Sequence, residues 1–120
     1  PESPRIHNNL AWALAQEGDM DAALTHARKS VELAPDEPRI RDTLGVVLLK
    51  RGAAAKAVEH LAQAADAAPE RADIQLNYAK ALIADGQDGK AKQILDEVAA
   101  REDLPARLQT TLDTVRSRLP

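Results

Sequence analysis

Residues 44–69 read LGVVLLKRGAAAKAVEHLAQAADAAP, from Leu44 to Pro69. The stretch is an apolar helix, a glycine turn, a second helix rich in alanine, and a proline stop. The segments on either side are versions of the same unit. Gly52 has counterparts at Gly18 and Gly86, Ala57 at Ala23 and Ala91, and Leu48 at Leu14 and Leu82, each step being 34 residues (52−18 and 86−52). Self-similarity at a period in the ~20–50 residue range is the mark of stacked repeats, here helix-turn-helix units that bury a shared core. The period predicts an all-α solenoid, which is a scaffold for binding and does not itself name a partner.

Composition agrees with that fold and excludes several functions. The chain has 120 residues, 44% of them hydrophobic, but only 2% aromatic. Such a core must be built from Leu, Ala, Val and Ile, which suits close helix packing better than a sheet. Sixteen basic and nineteen acidic side chains give a net charge of −3, without the basic footprint of a nucleic-acid binder. With no cysteine there is no disulfide framework or thiolate metal site, and the compartment is left open. No apolar run approaches the ~18 residues of a membrane span. The first residue is Pro1 rather than Met, which reads as an excised fragment.

Ser3-Pro4 reads as a helix start, with Ser as N-cap and Pro at the first helical position. The first helix is expected over about 4–17, with Ile6, Leu10, Ala11, Leu14 and Ala15 on the core face. Gly18 ends it, and a second helix over about 21–33 carries Ala23, Leu24, Ala27, Ser30 and Val31 before Pro35. The next unit repeats the order with Ile40, Leu44, Gly45, Val47 and Leu48, then Ala57, Val58, Leu61, Ala64 and Ala65, then Pro69. A third keeps Ile74, Tyr78, Ala79 and Leu82, then Ala91, Leu95, Val98 and Ala99. After it the pattern breaks: Asp103 stands where a closing proline is due, and 104–119 reads as one amphipathic helix with Leu108, Leu112, Val115 and Leu119 on a stripe. A solenoid needs an end with a polar outer side, so this segment is read as a capping helix. The expected organisation is a single domain of three repeats, about 4–37, 38–71 and 72–103, plus a cap over 104–119.

Across about Pro4 to Pro105 the sequence resembles the tetratricopeptide repeat (TPR) family. The family's small residue near the eighth place matches Ala11, Gly45 and Ala79, that near the twentieth matches Ala23, Ala57 and Ala91, and its closing proline matches Pro35 and Pro69. Its aromatic near the fourth place is absent, replaced by His7, Arg41 and Gln75. The resemblance implies a right-handed α-solenoid and a non-catalytic protein-interaction role. More narrowly, Asn8 to Asp19 and Arg41 to Leu61 look like the C-terminal repeats of bacterial TPR proteins that accompany exopolysaccharide and exosortase systems, which implies a role in assembly or secretion of surface polysaccharide.

Residues that could carry chemistry have plainer readings. His26 and His60 are 34 apart and hold equivalent places, expected to face solvent, while His7 stands alone; zinc generally needs three or four ligands. Ser3, Ser30 and Ser117 read as cap, packing and surface residues, outside any nucleophile motif. The glycines are turn residues by their period, with no phosphate loop. No enzyme activity, cofactor or metal is expected.

The resemblance places the first helix of each repeat along a concave groove. The residues opposite the core stripes are Arg5, Asn8, Trp12 and Gln16; Arg39, Asp42, Val46, Leu49 and Lys50; and Asp73, Leu76, Lys80 and Ile83. Asn9 and Asn77 hold equivalent places, and such an amide can both donate to and accept from a ligand backbone. One reading is that Trp12, Val46 and Leu49 pad contacts between neighbouring first helices. The other is that apolar anchors rimmed by Arg and Lys take an amphipathic helix or a peptide with acidic groups. The carboxylate clamp of chaperone-binding members is not met, because Asn8, Asp73 and Asn77 stand where cations are needed. A structural spacer within a longer solenoid and an RNA-binding helical repeat are the competing functions.

Overall fold

A computed structural model describes residues 2–120. Among them are seven α-helices and no strand: α1 (Pro4–Gln16), α2 (Met20–Leu33), α3 (Pro38–Lys50), α4 (Ala54–Ala67), α5 (Ala72–Ala84), α6 (Asp88–Ala99) and α7 (Ala106–Arg116). The all-α solenoid is therefore the observed fold.

Local chemistry sets the helix ends. Ser3 Oγ accepts from the Ile6 N–H at 3.3 Å, and Asp19 Oδ1 accepts from the Ala22 N–H at 3.3 Å, each satisfying a first-turn donor with no partner inside the helix. Pro4 and Pro38 occupy first-turn positions, where a missing N–H costs nothing. The turns between α1 and α2, α3 and α4, and α5 and α6 share one geometry. In the first, Gly18 N–H donates to Ala15 O at 3.1 Å and Asp19 N–H to Leu14 O at 2.9 Å; Gly52 with Ala53 and Gly86 with Gln87 repeat it. This is the Schellman arrangement, which needs a left-handed residue, and the three glycines have φ of 88°, 85° and 78°. Asp19, Ala53 and Gln87 each close one helix and cap the next, so the turn leaves little freedom in how the second helix folds back.

Each second helix packs on its own first helix and on the first helix that follows, and neighbouring first helices also touch: α1 with α3, α3 with α5, α5 with α7. The core runs the length of the stack, from Ala11, Ala23 and Ala27 through Leu44, Val47, Leu48 and Leu61 to Ile74, Tyr78 and Leu82. It continues under the last helix with Leu76, Leu95, Val98, Leu108, Leu112 and Val115.

Two expectations need correction. The last helix is shorter than 104–119, because Pro105 lacks an N–H and holds its neighbour Leu104 out of helical geometry. It also keeps the repeat register: Pro4, Pro38, Ala72 and Ala106 begin α1, α3, α5 and α7 at steps of 34 (38−4, 72−38, 106−72). The capping helix is thus a fourth first helix, in step with the other three. Ile6 and Leu10, expected in the core, are exposed, because among the described residues no helix packs on that side of α1.

The two helices of the second repeat approach closely at Gly45, where an added Cβ would fall 2.4 Å from Leu61 Cγ. Leu61 is fully buried. Alanine is the better helix former by about 1 kcal/mol, but overpacking a tight core costs about 1–3 kcal/mol. Gly45→Ala should therefore lower the melting temperature, and adding Leu61→Ala should remove the clash while opening a cavity. A Gly45→Ala variant that melts higher than the parent would show that the contact relaxes freely.

Candidate functional site

The four first helices set equivalent residues side by side along one face. Two ladders result: Arg5, Arg39, Asp73 and Arg107, and Asn9, Thr43, Asn77 and Thr111, each stepping by 34 (39−5, 73−39, 107−73; 43−9, 77−43, 111−77). A cavity of about 290 Å³ lies along α3, α5 and α7, lined by Arg39, Asp42, Asn77, Lys80, Arg107 and Thr111, with Asn8 and Trp12 at its α1 side. A second hollow of about 610 Å³, lined by Arg5, Asn9 and Glu37 among others, adjoins it through Asn8 and Arg39. Together they form a groove along the stack.

The charges of the groove are unevenly paired. Arg71, just ahead of α5, holds Asp73 in a two-pronged contact, Nε to Oδ1 at 3.0 Å and Nη2 to Oδ2 at 2.7 Å. This bond holds the Asp73 carboxyl below its ordinary range. Among the described residues, Arg5, Arg39 and Arg107 have no ion pair and are exposed. Burial pushes the Lys80 ammonium down, with Arg118 and Lys50 adding repulsion. Trp12 is 42% exposed, and Lys50 Nζ lies 5.9 Å from its ring centroid, within range of a cation-π contact.

Asp42 is half-buried in the groove wall and accepts a hydrogen bond from Asn77 Nδ2 at 3.0 Å. Desolvation pushes its carboxyl up to about 6; the Asn77 bond opposes the shift, Asp73 adds to it, and Arg71 and Lys80 oppose it. Asn8 is nearly fully buried, and its Oδ1 receives no hydrogen bond among the described residues.

Several residues expected to face a ligand are largely covered. Val46 and Leu76 are buried, Leu49 and Ile83 pack partly against the core, and Asn8 is nearly fully buried in the groove wall, where it and Leu76 still line the cavity. The reason is geometric. A first helix here has three faces, toward its own partner, toward the neighbouring first helix, and toward the groove, whereas a 3.6-residue period separates only core from non-core. Padding is therefore the structural place of Val46, Leu49, Leu76 and Ile83, while Trp12 stays half open. Arg5, Asn9, Arg39 and Lys50 are exposed, and Asp42, Asn77 and Lys80 are intermediate. Arg71, Arg107 and Thr111 were not foreseen; the last two were available by extending the register one more step.

The histidines also sit differently from expectation. His7 is not alone: its Nδ1 lies 3.0 Å from His26 Nδ1, with ring centroids 5.3 Å apart. His60 pairs with Arg41, whose Nη1 donates to Nδ1 at 2.8 Å. Both are intra-repeat contacts at a separation of 19 residues, and the rings are half-buried rather than open to solvent. Burial, then Arg41, lowers the His60 pKa.

Models of the tetratricopeptide repeat match residues 48–112 and residues 4–37, the first alone spanning more than half of the chain (112−48+1 = 65 of 120). The chain belongs to the tetratricopeptide repeat family. Solved TPR structures share the fold. YrrB, described as a TPR protein with an unusual peptide-binding site, superposes with a TM-score of 0.80 at 21% identity, covering 97% of this chain and 58% of that one. The chain thus spans little more than half of that relative. The first TPR domain of human RPAP3 gives 0.81 at 14% identity, with coverages of 96% and 91%. Its second TPR domain, in complex with the HSP70 peptide SGPTIEEVD, gives 0.76 at 15% identity, with coverages of 95% and 98%. Among curated proteins, none matches the sequence.

Within this TPR groove, Asp42 makes stability depend on pH. An ordinary aspartate titrates near ~3.9, so between about pH 4 and 6 the folded protein binds this proton more tightly than the unfolded chain does. Stability therefore falls as pH rises through that window, and the penalty persists above it, with an upper limit of about 2–3 kcal/mol from a shift of this size. Asp42→Asn keeps an acceptor for Asn77 and removes the charge. It should raise the melting temperature at pH 7.5 and leave it nearly unchanged at pH 4; equal effects at both pH values would refute the assignment.

Proposed function

We propose that this TPR protein is a non-catalytic protein-interaction scaffold whose groove takes a peptide or amphipathic helix bearing acidic groups. The observation that carries the proposal is the combination of a half-exposed Trp12 with unpaired Arg5, Arg39 and Arg107 on one face. Aromatic and arginine side chains are the commonest energetic anchors of interfaces. A row of uncompensated cations favours a partner of opposite charge. Two structural neighbours support a peptide ligand: YrrB by its peptide-binding site, and the second RPAP3 domain by its bound peptide SGPTIEEVD, which contains Glu-Glu and Asp. Asp42 and the Arg71–Asp73 pair interrupt the positive row, so the ligand is to be read in patches of charge.

The proposal extends to bacterial surface-polysaccharide assembly on the resemblance of Asn8 to Asp19 and Arg41 to Leu61 alone. A second reading, a segment of a longer solenoid, is favoured by the exposure of Ile6 and Leu10 at the α1 end. No helix among the described residues is long and apolar enough to cross a membrane.

A selection of random dodecamer peptides against the chain tests the groove. Peptides that bind should be enriched in Asp and Glu, and Trp12→Ala and Lys50→Glu should each weaken them about tenfold or more, Trp12→Ala chiefly through the off-rate and Lys50→Glu through the on-rate and its salt dependence. Lys56→Glu, on exposed α4 surface, should have little effect. Binders weakened more by Lys56→Glu than by both groove variants would place the site elsewhere.

A further inference from the structure

Asp42 is an acid among cations that do not pair with it. Its carboxyl lines the cavity along α3, α5 and α7 together with Arg39, Lys80 and Arg107. Oδ1 accepts from Asn77 Nδ2 at 3.0 Å, whereas Oδ2 receives no hydrogen bond among the described residues. No cation there comes within ion-pair distance of either oxygen, and Arg39, Lys80 and Arg107 have no ion pair of their own. The fourth cation of the wall, Arg71, is engaged with Asp73. One cavity thus holds a carboxyl with an unbonded oxygen and three cations without an anion.

We infer that this cavity is the subsite for one acidic side chain of the groove's ligand, and that the ligand carboxylate is bound together with a proton carried by Asp42. The inference rests on the acidic-peptide reading of the groove and specifies it. At about 290 Å³ the cavity is at the small end of ligand sites, which suits a single side chain rather than a whole helix. The unpaired cations attract a carboxylate, but two carboxylates sharing one site do not both stay ionised without cost, so one of them holds a proton more tightly. Asp42 is the one that holds it. Desolvation already pushes its carboxyl up to about 6, against the Asn77 bond and with a further push from Asp73, whereas a ligand Asp or Glu enters from water with an ordinary value near ~4. Protonated Asp42 removes the repulsion and offers Oδ2–H to the ligand carboxylate, a charge-assisted hydrogen bond. Above about pH 6 that proton has to be taken from water as the ligand binds, so affinity falls as pH rises.

The other groups around Asp42 are accounted for element by element. α5 contributes Asp73 and Lys80 to the cavity, the turn ahead of it Arg71, α7 Arg107, and Asp42's own helix Arg39; α1 contributes only the uncharged Asn8 and Trp12. α2 and α4 also pack on α3 but supply no residue to the cavity. The arginines stay charged throughout, and Asp73 is held ionised by Arg71. Lys80, lowered by burial, gains charge in the same direction as pH falls. The three histidines belong to a residue type that ordinarily titrates near this window, and none lines the cavity. A substitution at Asp42 separates its proton from all of these.

The probe is acetyl-hexa-aspartate amide, titrated into the whole chain by calorimetry. Its side chains ordinarily titrate near ~3.9, so its charge hardly changes between pH 5.5 and 7.5. It should bind about tenfold more tightly at pH 5.5 than at pH 7.5. At pH 6.5, measurements in two buffers of different ionisation heat should count about half a proton or more taken up per peptide bound. Arg107→Gln should weaken the peptide at both pH values, which locates it in this cavity. Asp42→Asn keeps an acceptor for Asn77; it should bind nearly equally at both pH values, more tightly than the parent at pH 7.5, and with little proton uptake. A parent that binds equally at both pH values, or an Asp42→Asn variant that keeps the full pH dependence, would overturn the inference and leave the acidic-peptide reading standing. A peptide that binds at neither pH, or that binds without regard to Arg107, would remove the acidic-peptide reading and the inference with it.

Discussion

The close approach of the two helices within each repeat is the constraint on which the rest of the architecture depends. Ala11, Gly45 and Ala79 sit where the second helix crosses the first, and the extreme case leaves no room for even one methyl between Gly45 and Leu61. Helix axes can come that near only over small residues. The glycine turns hold the entry angle through paired backbone hydrogen bonds, so contact and turn together fix how each second helix lies. That helix then offers a defined surface to the next first helix, and the repeat spacing of 34 residues becomes a rigid translation in space. The arginine and amide ladders of the groove are aligned because this contact recurs.

Most of the fold was legible because its signals are periodic. Glycine positions, small residues and aliphatic stripes each recur at one step, and one physical explanation, helix pairing across a tight turn, covers them all. What escaped was the continuation of that step into the last helix. Asp103 in place of a proline and the polar residues of α7 disguised Ala106 as a new beginning, although Leu108 and Leu112 were already in register with Ile74 and Tyr78. The groove was legible only in part. Trp12, Arg5 and Arg39 stand out by position, but Val46 and Leu76 show that a non-core helical place can be as buried as a core one when a third neighbour packs against it. The His7–His26 and Arg41–His60 pairs were hidden for another reason: they link the two helices at a 19-residue separation, which no within-helix spacing rule reveals.

Net charge proved a poor guide to the groove. The chain carries −3 overall, yet its first helices expose Arg5, Arg39 and Arg107 without acidic partners, and the nearest acids are neutralised or strained. Asp73 is held by Arg71, and Asp42 is ionised at a desolvation cost that raises its pKa to about 6. A carboxyl kept in that condition is a local stability penalty that a hydrophobic or amide side chain would avoid. Departures from local optimality of this kind concentrate at functional surfaces, and here the departure coincides with the cavity between α3, α5 and α7.

α1 supplies Arg5, Asn9 and Trp12 to the groove, yet among the described residues it packs only on α2 and α3, while α3 and α5 each have a neighbour on both sides. In a linear stack, stability is a sum over repeats and their interfaces, so an end unit with one interface missing opens more readily than the units inside it. Opening of α1 removes the only exposed aromatic anchor from the groove.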